Sequence, residues 1–236
     1  MQLASRPFPS MQTKLPFLVL FAAACSVPSP TPAIITGAAE VLPAHQPVFA
    51  QPVSMAEAKV VFDAAGVQPG ERLPKLALRS LDGSLVDLET MRAGRPMVLV
   101  TCSLTCNVAR RQQREVAALQ QRLGERAFVV MIYTIDAHPR SDACPYTGVE
   151  WVPQQNESDD VLVRQPKTIE ERLALARRYA ESWAKGTNLL VDAMNDAGWV
   201  ALGRAPNVGL AIGADGIVLA RTGWFDGTVI EAALVR

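Results

Sequence analysis

One junction constrains this chain more than anything else in it. Met97-Val-Leu-Val-Thr101 is an unbroken run of apolar and β-favouring residues, the length of a buried strand and too short for a helix. From Arg110 to Leu123 the period changes. Val116, Leu119 and Leu123 recur at three- and four-residue spacing, which predicts an amphipathic helix. Cys106 falls where the strand gives way to the helix. A thiol there meets unpaired backbone N–H groups and the positive end of the helix dipole, and both favour thiolate. The junction therefore predicts an α/β unit with Cys106 as a redox nucleophile.

The flanking patterns agree. Lys75–Ser80 and Ser84–Leu88 alternate around the tight-turn pair Asp82-Gly83, which predicts a β-hairpin joined by a short connection, Glu89–Ala93, to the first central strand. Ala127–Tyr133 reads as a second buried strand. The loop from Arg140 to about Lys167 exceeds the usual connection length and suggests a functional insertion. It carries Cys144, Trp151 and the acidic run Glu157-Ser-Asp-Asp160. Thr168-Ile-Glu-Glu171 has the form of a capping box opening a helix to about Lys185, where Gly186 stops it. Leu189–Asp192 is a third strand candidate, and 195–204 a short helix or turn. Asn207–Ile212 and Ile217–Arg221 form a closing hairpin, followed by a helix over 228–235. Strands alternating with helices predict a central sheet between helical layers.

The first residues read differently. Arg6 and Lys14 precede Leu15–Ala24, an apolar run too short to span a membrane as a helix but laid out as a secretory signal. We expect a signal over 1–25, with Cys25 as candidate lipid anchor, and a protein that is exported, either periplasmic or lipid-anchored to the cell envelope. Residues 26–54, rich in Pro and Ala, read as a flexible linker with a solvated His45. Met55–Ala65 has helical composition, and the domain is expected over 55–236. About 180 residues are enough for one α/β core. Lys plus Arg and Asp plus Glu number 23 each, so no charge excess calls for nucleic acid. Membrane contact is expected only through the N-terminal lipid.

The order of hairpin, Gly94-Arg-Pro96, buried strand and cysteine resembles the opening of the redoxin and peroxiredoxin branch of thioredoxin-like proteins. Three stretches resemble iodothyronine deiodinases. Ser103-Leu-Thr-Cys106 is similar to their Ser-Cys-Thr-selenocysteine segment. Ile132-Tyr133 with Asp136-Ala-His-Pro139 is similar to their Ile-Tyr-Ile-Glu-Glu-Ala-His-Pro run. Gln165, Thr168-Ile-Glu-Glu-Arg172 and Ala176-Arg177 resemble their following helix start. The resemblance covers about residues 70–235 and implies a thioredoxin-like three-layer α/β fold with a central mixed sheet and an N-terminal β-hairpin extension. It places Cys106 at the nucleophile, Thr105 before it, and Asp136 and His138 at the family's Glu and His. It also marks Pro206, just ahead of a strand, as the candidate cis-proline. Asn107-Val108 stand where the family has two prolines, Leu104 where it has a cysteine, and Pro166 where it has a second histidine. Those departures, and sulfur in place of selenium, favour general thiol redox chemistry over deiodination.

Independently of family, parallel neighbouring strands would deliver Cys106 and Asp136-x-His138 to one edge of the sheet, where open α/β sheets carry their sites. His138 titrates near neutrality and suits a proton donor, with Asp136 orienting it. Cys144 or Cys102 is the expected resolving cysteine. No resident cofactor is expected. An external thiol reductant or redox partner protein would regenerate the enzyme after it reduces a disulfide or peroxide, whether in a small molecule or a protein. The Cys102-x3-Cys106 spacing keeps open a Sco-like copper protein using Cys102, Cys106 and His138. A non-catalytic exported thioredoxin-fold module with a structural bridge also stays open.

Overall fold

The structure, a computed structural model, describes residues 45–51 and 53–235. The expected signal, Cys25 and residues 26–44 of the expected linker lie outside the described residues. The rest forms a seven-stranded mixed sheet in the order β2-β1-β5-β4-β3-β6-β7. Its strands are β1 (Leu78–Arg79), β2 (Leu85–Val86), β3 (Met97–Cys102), β4 (Phe128–Tyr133), β5 (Asn188–Asp192), β6 (Gly209–Ile212) and β7 (Val218–Thr222). β3, β4 and β5 run parallel, while β6, β7 and the β1–β2 hairpin are antiparallel to their neighbours. Every residue of β3 and β4 is buried, which is why both read as continuous apolar runs.

Seven helices cover the sheet. They are α1 (Met55–Ala64), α2 (Leu88–Arg92), α3 (Asn107–Leu123), α4 (Gln154–Ser158), α5 (Ile169–Ser182), α6 (Ala197–Ala201) and α7 (Gly227–Leu234). Two right-handed crossovers, β3-α3-β4 and β4-α5-β5, place α3 and α5 on one face. There Gln113 Nε2 donates to Tyr179 Oη at 2.5 Å. The register shows the opposite face. Leu99 pairs with Leu210 and Leu210 with Arg221, so these three point one way. The Arg221 guanidinium bonds the carbonyl oxygens of Phe62, at the end of α1, and Leu202, just after α6. Helical layers on both sides of a mixed sheet, with this strand order and a hairpin added at the β5 edge, make a thioredoxin-like fold.

Local chemistry explains the ends. Ser54 and Glu57 form a capping box at the start of α1, Glu57 N donating to Ser54 Oγ at 3.2 Å and Ser54 N to Glu57 Oε2 at 2.8 Å. Thr168 caps α5 through Glu171 N at 3.3 Å, but the Glu171 carboxylate accepts from Lys167 N at 2.6 Å instead of closing a box. Two elements differ from expectation. The connection after the hairpin is α2, capped by Asp87 and closed by Ala93 in the left-handed region at φ 51°. Buried Arg92 fixes it, with Nη1 donating to Arg95 O and Ala214 O at 2.8 and 2.9 Å. Within 140–167 the loop folds into α4, whose Asn156 is fully buried.

Two further expectations are corrected. The bond before Pro206 is trans, as are all described peptide bonds. Trans is favoured by about 0.5–1 kcal/mol for X–Pro, and hydrogen bonds hold both flanks. Thr101 Oγ1 donates to Ala205 O at 3.3 Å and accepts from Val208 N at 2.8 Å. Nor is His45 solvated. Its Nε2 lies 3.0 Å from Asp196 Oδ2, and its ring stands edge-on to Trp199. Val48 and Phe49 then donate their amides to Pro145 O and Tyr146 O at 3.1 and 2.9 Å. Residues 45–49 thus lie as a strap across the domain.

Candidate active site

The site stands at the C-terminal edge of β3 and β4, where both chains leave the sheet. Cys106 is the N-cap of α3, and its Sγ accepts from Ala109 N at 3.3 Å. That is the helix-terminus position the sequence implies. The thiolate expectation fails, because Cys106 is only 1 % exposed. Burial pushes its thiol up to about 11, and the amides of Ala109 and Val108 only partly oppose this. The helix terminus stabilises the anion, but desolvation is the larger effect here.

Asp136, at the end of the β4 chain, is fully buried and accepts three hydrogen bonds. Thr105 N and Oγ1 donate to Oδ1 at 3.0 and 2.9 Å, and Tyr133 Oη donates to Oδ2 at 2.8 Å. Burial raises its pKa despite these donors. Asp136 therefore does not orient the His138 ring. It reaches His138 through Thr105 Oγ1, which accepts from His138 N at 2.9 Å. Thr105 and Asp136 are positioning residues that fix the backbone carrying Cys106 and His138. Gln165 clamps Asp136 from outside, Nε2 donating to Asp136 O at 2.7 Å and Oε1 accepting from Asp136 N at 3.1 Å.

The rest of the turn is equally held. Leu104 N donates to Tyr133 Oη at 3.1 Å, and Leu104 O accepts from Arg110 Nη1 at 2.6 Å. Thr105 O accepts from Asn156 Nδ2 at 2.9 Å, while Ser103 Oγ accepts from Ala137 N at 3.2 Å. Arg110 also bonds Asn156 Oδ1 and pairs with Asp159 at 2.8 Å. Sequence reasoning missed Tyr133, Arg110 and Asn156 in these roles. Tyr133 had a signal, a hydroxyl three residues before a buried carboxylate at a strand end. Asn156 had none, since its partners lie 46 and 51 residues away.

His138 is 8 % exposed, its ring edge-on to Trp151 with centroids 4.5 Å apart, and Nδ1 has no hydrogen-bond partner. Burial lowers its pKa to about 4, against a smaller opposing effect of the Trp151 backbone. The imidazole is neutral at pH 7 and does not carry the ready proton that the sequence led us to expect. A groove of about 660 Å³ runs past it, walled by Phe49, Phe62, Tyr146, Trp151 and Trp224, with Asn107 and Val108 of α3 at its floor. Pro206 also lines it.

The other cysteines divide. Cys102 is fully buried in β3 on the face of Tyr179, and desolvation drives its pKa well above the usual thiol range. Cys144 donates from Sγ to Ala137 O at 3.1 Å. Burial pushes the Tyr146 hydroxyl well above the usual tyrosine range, with smaller upward effects from Cys106 and Cys144. Cys102, Cys106 and Cys144 are free thiols, with no structural bridge among them. Nor are Cys102, Cys106 and His138 gathered as the copper reading requires. Among the described residues no group of three or more His, Cys, Asp or Glu could hold a metal ion.

No protein-family model matches the sequence. No curated protein matches it either. Solved structures do. A thiol peroxidase from Chromobacterium violaceum is 16 % identical with a TM-score of 0.48, covering 72 % of this chain and 87 % of its own. The thioredoxin domain of a thiol-disulfide oxidoreductase from Bacteroides vulgatus is 10 % identical at 0.48, covering 71 % and 96 %. A secreted Mycobacterium tuberculosis disulfide oxidoreductase is 11 % identical at 0.44, covering 69 % and 95 %. The fold assignment rests on strand order and connectivity: this chain has a thioredoxin-like fold with Cys106 capping the helix that follows its first parallel strand.

Proposed function

We propose that this protein is an exported thiol oxidoreductase of a deiodinase-like branch, with Cys106 as nucleophile. The observation that carries the reading is the placement of Cys106 Sγ at the α3 N-terminus, against the Ala109 amide, with the next two residues, Asn107 and Val108, lining the groove that His138 also lines. Cys106 attacks one sulfur of a disulfide, forming a mixed disulfide and releasing the other sulfur as thiolate. With a peroxide it attacks one oxygen instead, the O–O bond breaks, the other oxygen leaves as water or alcohol, and Cys106 becomes a sulfenic acid that Cys144 resolves with loss of water. Proton handling falls to His138, whose neutral ring lines the adjoining groove, with Asp136 holding the backbone that carries it through Thr105. Cys144 then attacks the Cys106 sulfur, and an external thiol or redox partner protein reduces the resulting bond. Cys144 is favoured as the resolving cysteine because it lies on the loop after β4, whereas Cys102 is held within β3.

Turnover of a small disulfide with dithiothreitol as donor tests this. Cys106→Ser should lower the rate at least about a hundredfold, since serine is a far weaker nucleophile at neutral pH. Cys102→Ser should leave it within about twofold of wild type. Unchanged turnover in Cys106→Ser would refute the reading, and unchanged turnover in Cys144→Ser would remove Cys144 as resolving residue.

A further inference from the structure

The strap at 45–49 lies over Cys144. Val48 and Phe49 donate their amides to Pro145 O and Tyr146 O at 3.1 and 2.9 Å, the carbonyls of the two residues after that cysteine. Pro47 rests on the same turn, so closely that a Cβ added at Gly148 would lie 2.7 Å from Pro47 Cγ. His45, Pro47 and Cys144 line one cavity of about 320 Å³. Beneath this cover the turn closes on itself, Gly148 N donating to Cys144 O at 2.8 Å and Cys144 N to Val149 O at 3.0 Å. Cys144 is 1 % exposed, and its thiol donates to Ala137 O. With the strap seated, the proposed resolving cysteine is closed to solvent.

Few contacts hold the strap. His45 Nε2 lies 3.0 Å from Asp196 Oδ2, Phe49 stands edge-on to Phe62, and two amides make the bonds already described. No residue of it belongs to a strand of the sheet. A segment tied down this way opens more often than the sheet does. Cys102 is the contrast: it is fully buried inside β3, so only disruption of the sheet uncovers it.

From this we propose that the strap is a gate on Cys144. Seated, it leaves a mixed disulfide on Cys106 to be reduced by external thiol. Lifted, it frees the 144–149 turn, and Cys144 resolves the same bond internally. This names the regulation of the thiol site proposed above and rests on that reading. In the open state Cys144 Sγ attacks the Cys106 sulfur of the mixed disulfide, and a Cys106–Cys144 bond forms. The substrate's remaining sulfur leaves and takes up the proton that the Cys144 thiol gives up. Two equivalents of external thiol then return both cysteines to thiols and become one disulfide. The position of the strap decides whether the site works with one cysteine or with two.

The test mixes the reduced full chain with dithiodipyridine, without a thiol donor, and follows two species by mass spectrometry after acid quenching. The first is Cys106 carrying one thiopyridine, and the second is the Cys106–Cys144 disulfide that replaces it. Two variants loosen the strap through different contacts. His45→Gln removes the pair with Asp196 and should speed conversion of the first species to the second about fivefold. Pro47→Gly removes the packing on Gly148 and frees the strap backbone, and should speed it about threefold. Labelling of Cys102 should stay within about twofold of wild type in both, because the sheet does not open with the strap. The inference is overturned if neither variant speeds the conversion, or if the internal disulfide forms in none of the proteins. It is overturned as well if Cys102 labelling rises in parallel, since that marks unfolding of the whole domain. First uptake of the probe at Cys106 would leave the thiol reading standing in each of those events. If Cys106→Ser keeps full turnover of a small disulfide, the thiol reading itself fails.

Discussion

The floor and the roof of this site are built on different physics. In the floor, Ser103–Cys106, backbone N–H and C=O groups find partners within the domain. They use Tyr133, Asp136, Arg110 and Asn156, each buried and each reached across at least one element boundary. The roof, made by the strap at 45–49 and by Tyr146, Trp151 and Trp224, is aromatic edges and apolar contact. There Nδ1 of His138, the Tyr146 hydroxyl and Nε1 of Trp224 have no partners. The floor's network, in which Arg110 Nε lacks a partner but Tyr133, Asp136, Thr105 and Asn156 are bonded, sets one geometry, because each lost bond leaves a buried group unpaired. Aromatic packing is less exacting in register and accepts a ligand. Under the proposed function, positioning of the sulfur falls to the floor and choice of substrate to the roof.

That contrast can be broken in order of expected effect. Asp136→Ala removes the acceptor of three buried donors and should cost about 4 kcal/mol of unfolding free energy by denaturant titration. A loss below about 1 kcal/mol would show that the floor does not depend on this carboxylate. His138 comes next. Its folded pKa of about 4 lies below the usual 6.5, so burial favours the neutral ring. The resulting stability is present above pH 6.5 and is lost as pH falls towards 4, by roughly 2–3 kcal/mol. His138→Gln should remove that part of the acid sensitivity, seen as flatter denaturation midpoints between pH 6.5 and 4. Asn156→Ala unpairs Thr105 O and should cost about 1–2 kcal/mol, with a fall in thiol turnover as the Cys106 turn loosens. The smallest effect belongs to the roof. His45→Ala should cost under about 1 kcal/mol yet speed hydrogen exchange at Val48 and Phe49, whose amides hold the strap.

The same division explains what the sequence disclosed. β3, β4, α3 and α5 were legible because their signals are local: apolar runs, a 3.6-residue period, and Thr168 as a cap. The position of Cys106 was legible for the same reason, as a strand meeting a helix. Missing were α2 and α4, five residues each, which are too short to show a period. The depth of burial was also hidden. A helix terminus is visible in sequence, whereas the desolvation that overrides it at Cys106 comes from residues far along the chain. For Asp136 the sequence located the carboxylate but misread its partner, since Thr105 and Tyr133 reach it only once β3 and β4 lie side by side. The roof was the least legible part, because the strap was read as linker and its pairing with Pro145 and Tyr146 spans almost a hundred residues.

The most direct test of the central claim follows alkylation of Cys102, Cys106 and Cys144 separately, by mass spectrometry, in the folded protein from pH 7 to 9. Reactivity confined to a thiolate pushed up to about 11 should rise about tenfold per pH unit. Cys106, against the α3 amides, should be modified ahead of Cys102 and Cys144 throughout. Modification of Cys102 or Cys144 first, or of all three together at the rate of the unfolded chain, would contradict Cys106 as the nucleophile.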